Sequence, residues 1–458
     1  MLINDYATAR HLAARLELGV NHDLCKQRIG QTVEQVFQMM CPPAGYQLAT
    51  TPVLADWASM KVYYTSPLSI KIELNKQARQ EGNILTNWWL EQLHHTSYPL
   101  WERMILFWHN HFTSSLEKVL WPQWMFKQHQ LIRKHALGNF AELLQAIAKD
   151  PAMLSYLDGA KNTAASPNEN FARELLELFT LGVGHYTEAD IINVAKAFSG
   201  WNLDAPKGEF LFQAKHHDTS TKQFLGRSGN FDGADIIKIL LAQDRTAEHI
   251  AEKFWKEFIN TQQPDPTIIK EWAAAFRNSG YEIKALLLKI ITSTVFWDIA
   301  QRGSLIKSPI EFTVGLLREL QLPFEEYDAL RVANQQLGQD LFRPPDVKGW
   351  RGGNEWITNM RLIRRYDVIP KLLAEHGKEV QSVVSQLVTT TKAPTSTGIP
   401  SKAGGFFRNI LPQLSCSTNP SALIAWLLPL NPVNPPNCNQ TVDNILTTVL
   451  KDPTYQLR

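Results

Sequence analysis

Three short stretches gather side chains able to bind a metal ion or move a proton. "FWHNHF", from Phe107 to Phe112, sets His109, Asn110 and His111 in an apolar run. "SPNENFARELLELFTLG", from Ser166 to Gly182, carries Asn170, Arg173, Glu174 and Glu177. "KHHDTSTKQFLG" holds His217, Asp218 and Lys222 in a loop-rich region. Imidazoles and carboxylates that converge with one position left open suit a single divalent ion, either iron, manganese or zinc. The candidate metal ligands are then His109, His111 and His217. Without metal, the same groups can transfer protons. Glu174, Glu177, Arg173, Asp218 and Lys222 are the candidate catalytic residues, with Arg173 and Lys222 placed to neutralise an anionic substrate group. A fourth stretch, "RPPDVKGWRGGNEWI", displays Lys348 and Trp350 on a rigid aromatic loop. With Asn110, Asn170 and Trp201 these are the candidate substrate-binding residues.

Each group also has a plainer explanation. Ser166, Pro167 and Glu169 read as a capping box, and Gly182 as the glycine that ends the helix. Around that helix Phe171, Leu175, Leu178 and Phe179 form the apolar face. Glu169–Arg173 and Arg173–Glu177 pairs could simply lace the wet side. Glu174 lies at the border, where a cleft could take it in. In "WERMILFWHNHF" the apolar stripe is Trp101, Met104, Ile105, Trp108 and Phe112, with His109 and His111 on opposite edges. Residues two apart diverge by about 200° on a helix, so these two should not grip one ion while the helix persists. Thr187 and Asp190 read as a second capping box, leading to a helix that stops at Gly200 before Trp201.

Positioning falls to helices. Apolar residues recur at three- and four-residue spacing through "TARHLAARL", "NFAELLQAIAKD", "AEHIAEKFWKEFI" and "PIEFTVGLLREL". Asp150-Pro151 and Ser308-Pro309-Ile310-Glu311 are start signals. Strand-like sequence is scarce; residues 208–214 and 222–226 suggest a small hairpin or ordered loop. The expected class is therefore all-α. The expected organisation is a mainly helical domain over 1–388, a Thr/Ser/Pro/Gly-rich flexible insertion over 389–405, and a C-terminal helical segment over 406–458 packing back on it. No internal repeat indicates a solenoid.

Composition narrows the function. A net charge of +2 over 458 residues shows no nucleic-acid footprint. No stretch is long and apolar enough for a transmembrane segment. The start lacks a basic, then apolar, leader, so a cytoplasmic, soluble chain is expected, or a periplasmic or exported one if a signal was removed. Cys25, Cys41, Cys416 and Cys438 form no CxxC; Cys25–Cys41 and Cys416–Cys438 disulfides or free buried thiols all fit. Fourteen tryptophans suit core anchors as well as an interface. P-loop, Rossmann, GxSxG and HExxH patterns are absent.

"FWHNHF", "SPNENFARELLELFTLGV", "YTEADI…AKAFSGW", "HD…K.FLG" and "VKGWRGGNEWI", in this order, resemble the bacterial DUF1800 family. The closing "DPTYQLR" also fits. The likeness spans nearly the whole chain apart from 389–405. It marks His109, Asn110, His111, Asn168, Glu169, Asn170, Arg173, Glu174, Glu177, Trp201, His217, Asp218, Lys222, Lys348, Gly349 and Trp350 as signature residues, and assigns none of them a chemistry. Such proteins often accompany a sulfatase-like companion family, DUF1501, and many carry export signals, which this chain does not show. Two functional readings follow. One is a metal-dependent or acid–base enzyme acting on a peptide or glycan-like substrate. The other is a non-catalytic helical accessory or scaffold protein for a DUF1501-like companion or a cell-envelope component.

Overall fold

The computed structural model describes residues 1–48, 50–56, 58–374, 379–380, 420–437, 440 and 442–458. These form a mainly helical fold with two small antiparallel hairpins. The start signals act as read. Asp150 accepts from Met153 N–H, and Ser308/Glu311 and Thr187/Asp190 form reciprocal capping boxes. The helix before the carboxylate cluster starts differently. Its N-cap is Asn168, which accepts from Asn170 N–H, and Ser166 instead pairs with Thr163 in a turn. Residues 208–214 and 222–226 do not pair with each other either. Glu209–Phe212 pairs with Trp201–Asp204, and Lys222–Phe224 with Arg227–Gly229. The insertion at 389–405, Cys416 and Cys438 lie outside the described residues. Cys25 and Cys41 are free, buried thiols, and burial pushes the Cys25 thiol up to about 12.

The Pro99–His111 helix organises the interior. Eleven of its thirteen residues are buried, so its polar side chains must find partners inside the protein. Trp101 and Trp108 donate to the carbonyls of Arg133 and Ala136 (2.9 and 3.0 Å), capping the end of the Pro122–His135 helix. Arg103 donates to Glu257 at 3.0 Å and pairs with Glu311 at 2.5 Å. Arg458 reaches the same two acids at 3.0 and 2.9 Å. The result is a closed ring of two guanidinium and two carboxylate groups joining four distant parts of the chain. Burial alone would raise the Glu311 carboxyl, yet Arg103 and Arg458 hold it at about 2. Losing one member would strand a buried charge, at a cost of about 3–5 kcal/mol.

A second network explains His109. Glu102, wholly buried, pairs with Arg133 at 2.6 Å and accepts from the Trp89 indole. Arg133 Nε donates to His129 Nε2 at 3.2 Å, and His129 Nδ1 lies 3.1 Å from His109 Nε2. A guanidinium only donates, so His129 Nε2 must accept. His129 therefore carries its proton on Nδ1 and donates it to His109. Both imidazoles are neutral and their tautomers are fixed. Burial, with Arg133 beside it, pushes His109 down to about 3. Among the described residues no helix is long and apolar enough to cross a membrane.

Burial keeps five histidines neutral. His11 and His109 are pushed down to about 3, His249 to about 4, and His111 and His129 well below the usual range. In the unfolded chain each takes up a proton below pH ~6.5, while the folded chain does not. Their contribution is complete above that pH and is lost as pH falls towards 4–3, at about 1.4 kcal/mol per unit for each histidine. Asp150, raised to about 7 by burial, acts oppositely, as do the raised Glu174 and Asp340, but these are fewer than the five histidines. The urea midpoint is expected to fall steeply between pH 7 and pH 5; a flat profile would contradict these burials.

Candidate functional site

The two signature stretches around Asn110 and Trp350 meet directly. Asn110 Oδ1 accepts from Trp350 N–H at 2.6 Å. Gly349, at φ +80°, lies so close that an added Cβ would overlap Asn110 Oδ1. Only glycine takes that backbone shape without strain and leaves that space. Asp346 completes the turn, accepting from Lys348 N–H at 2.8 Å and pairing with Arg351 at 3.1 Å. Trp350 is buried, so it anchors the loop, while Lys348 is left exposed.

Lys348 and Asp346 come within electrostatic reach of Glu174. Glu174 closes the Glu169–Glu174 helix, just before a wider π-turn at Leu175–Thr180; such turns are frequent at functional sites. Its half-buried carboxyl makes no hydrogen bond among the described residues. Burial raises it and so does Glu177, against the opposing pull of Lys348 and Arg173. Glu177 accepts from Tyr186 at 3.0 Å. Burial and that carboxylate push the phenol to about 12. Tyr156 is raised by burial and by the charges of Asp346 and Glu174. Glu174, Glu177, Tyr156, Tyr186, Asp346 and Lys348 thus act on one another. Asn170 lies 3.5 Å from Asp158, which also pairs with Lys118 and Lys161.

The other candidates have separate surroundings. Arg173 pairs with Glu169 at 3.2 Å, as its spacing predicts, but its second partner is Glu188 at 2.8 Å rather than Glu177. His111 is enclosed by Phe107, Phe112 and Phe179, on another side of its helix from His109. His217 Nδ1 is bound to the Ser199 carbonyl at 2.8 Å. Asp218 accepts from Ser220, and Lys222, fully buried, donates to the carbonyls of Asp218 and Ser220 at 2.6 and 3.0 Å. That stretch is a loop that clamps itself. Trp201 is buried against Phe198 and Phe210. Among the described residues no group of three or more His, Cys, Asp or Glu side chains is placed to hold one metal ion.

Sequence reasoning missed Tyr156 and Tyr186, because a lone tyrosine in a helical or loop stretch carries no spacing signal. It also missed Glu102, His129 and Arg133, which read as ordinary polar positions on helices. Asp346 lay inside a quoted stretch, but only the turn it makes shows its part.

A family model described as "Protein of unknown function (DUF1800)" matches residues 11–457. No curated protein and no solved structure matches the chain.

Two measurements check this geometry. Gly349→Ala should destabilise the fold by more than the roughly 1–2 kcal/mol that a left-handed backbone costs a residue with a Cβ, because Asn110 must also move; an unchanged denaturation midpoint would refute the close approach. Isotope-edited infrared titration should find the Glu174 carboxyl above the usual glutamate range. It should go higher still in Lys348→Ala and lower in Glu177→Gln, and shifts of the opposite sign would contradict the placement.

Proposed function

The chain belongs to the DUF1800 family, and on that footing we propose that it is an acid–base enzyme whose reacting group is the Glu174 carboxyl. One observation carries this reading. Asn110, His109, Trp201, Arg173 and Lys222 each have a structural partner, while Glu174 is half-buried, raised and without a hydrogen bond among the described residues. A structural carboxylate would be tied down, as Glu102 and Glu311 are. A raised carboxyl moves towards neutral pH, where taking and returning a proton are both efficient.

In this reading Glu174 removes a proton from an attacking water or hydroxyl and returns it to the leaving group. The Glu177 charge keeps the Glu174 proton affinity high. Lys348, on its clamped loop, offers a positive charge to developing negative charge on the substrate. Tyr156 and Asn170 supply polar contacts. A cluster of carboxylates, phenols and one ammonium suits a polar peptide or glycan-like substrate and a hydrolytic reaction.

The engagement of most signature residues in packing favours one second reading, an accessory protein whose polar residues shape a surface for a DUF1501-like companion. A panel of peptide and glycan fragments, incubated with the chain and with Glu174→Gln and followed by mass spectrometry, separates the two. The enzyme reading expects products from the parent chain and a loss of about 10²–10⁴-fold in the variant, with an unchanged melting temperature. Equal turnover by both, or no product together with a lower melting temperature for Glu174→Gln, favours the accessory role.

A further inference from the structure

A cavity of about 640 Å³, sharing no residue with the Glu174 cluster, opens beside Arg318. That volume lies within the usual range for small-molecule sites. Arg318 belongs to the Pro309–Glu319 helix, and among the described residues its guanidinium is held by neutral groups only. Nε donates to the Leu18 carbonyl at 2.9 Å, and Nη1 to the carbonyls of His94 and Thr96 at 2.5 and 3.1 Å. Nη2 makes no hydrogen bond among the described residues. The acids that act on it electrostatically are Glu17 and Glu102. Each is closed with another guanidinium: Glu17 with Arg28 at 2.6 and 3.1 Å, and Glu102 with Arg133 at 2.6 Å. Carbonyl dipoles ease the burial of a cation but do not cancel its charge, so one positive charge is left over at the cavity.

The rest of the lining says what kind of anion fits. Met39, Met40, Leu24, Leu317 and Leu322 supply apolar wall, and methionine side chains adapt to varied shapes. His94 and His95, also on the lining, share the Tyr327 hydroxyl at 3.0 Å each. A fully hydrated ion such as phosphate would leave the apolar wall unused. We propose that this cavity binds a small organic carboxylate, with its charged end on the Nη2 edge of Arg318 and its apolar body along Met39, Met40 and Leu322.

Octanoate, octan-1-ol, octylamine and inorganic phosphate serve as probes on the full chain, by calorimetric titration and thermal shift. Arg318 also caps the Leu68–His95 helix, so its replacement can unfold the protein; Leu24→Asp, at an exposed position on the rim, keeps the test independent of folding. Saturable binding of octanoate but not of octylamine or octan-1-ol is expected, weakened about tenfold or more in Leu24→Asp with an unchanged melting temperature. No saturable response to octanoate, an equal response to octylamine or octan-1-ol, or unaltered affinity in Leu24→Asp overturns the proposal. Phosphate binding as tight as octanoate overturns the apolar half of it.

Discussion

Everything in this fold answers to one constraint: a buried helix, Pro99–His111, carries more polar side chains than water can reach. Glu102, Arg103, His109 and His111 are all buried on it. An unpaired charge in such a place costs several kcal/mol, so each neighbour must arrive with the matching group. Arg133 and His129 answer Glu102 and His109, and Glu257 and Glu311 answer Arg103. The partners come from distant segments, so satisfying one helix fixes the placement of several others. Apolar packing alone would tolerate sliding; these pairs do not.

The same helix reaches the Glu174 cluster at its far end. Asn110 has one oxygen to offer, and it takes the Trp350 amide. That single bond, with Gly349 pressed beneath it, sets the height of the 346–350 turn and hence where Lys348 stands. Glu174 gets its setting from this placement. Burial and Glu177 lift its proton affinity, Lys348 and Arg173 pull it back, and no hydrogen bond among the described residues settles the balance. Satisfied charges thus make the frame, and an unsatisfied one sits at its edge.

Arg318 presents the complementary case of a cation surrounded by carbonyls instead of carboxylates. Arg10, which donates to the Trp426 and Leu427 carbonyls, is held in the same way, but it does not line the Arg318 cavity. Glu17 and Glu102 are close enough to act on Arg318, yet each is already matched.

The sequence by itself determined the helical class, the capping boxes at Thr187 and Ser308, and the divergence of His109 from His111. All of these depend on residues within a few positions of each other, where helix geometry is fixed in advance. It also marked Glu174 as a border residue from its angle on the helix. Sequence reading put the helix start at Ser166; the fold ties Ser166 to Thr163 in a turn and leaves Asn168 as the cap. Where sequence reading put residues 208–214 and 222–226 in one hairpin or an ordered loop, each stretch pairs with a nearer strand. The tertiary structure alone decided that Lys222 and Trp201 are buried, that Tyr156, Tyr186 and Asp346 act on Glu174 or its neighbours, and that Arg318 pairs with no acid among the described residues. Some of those meetings join segments far apart, such as Asp346 with Glu174, and others join neighbours across a loop, such as Lys222 with Asp218. In both, the path of the folded backbone decides the meeting and residue spacing does not.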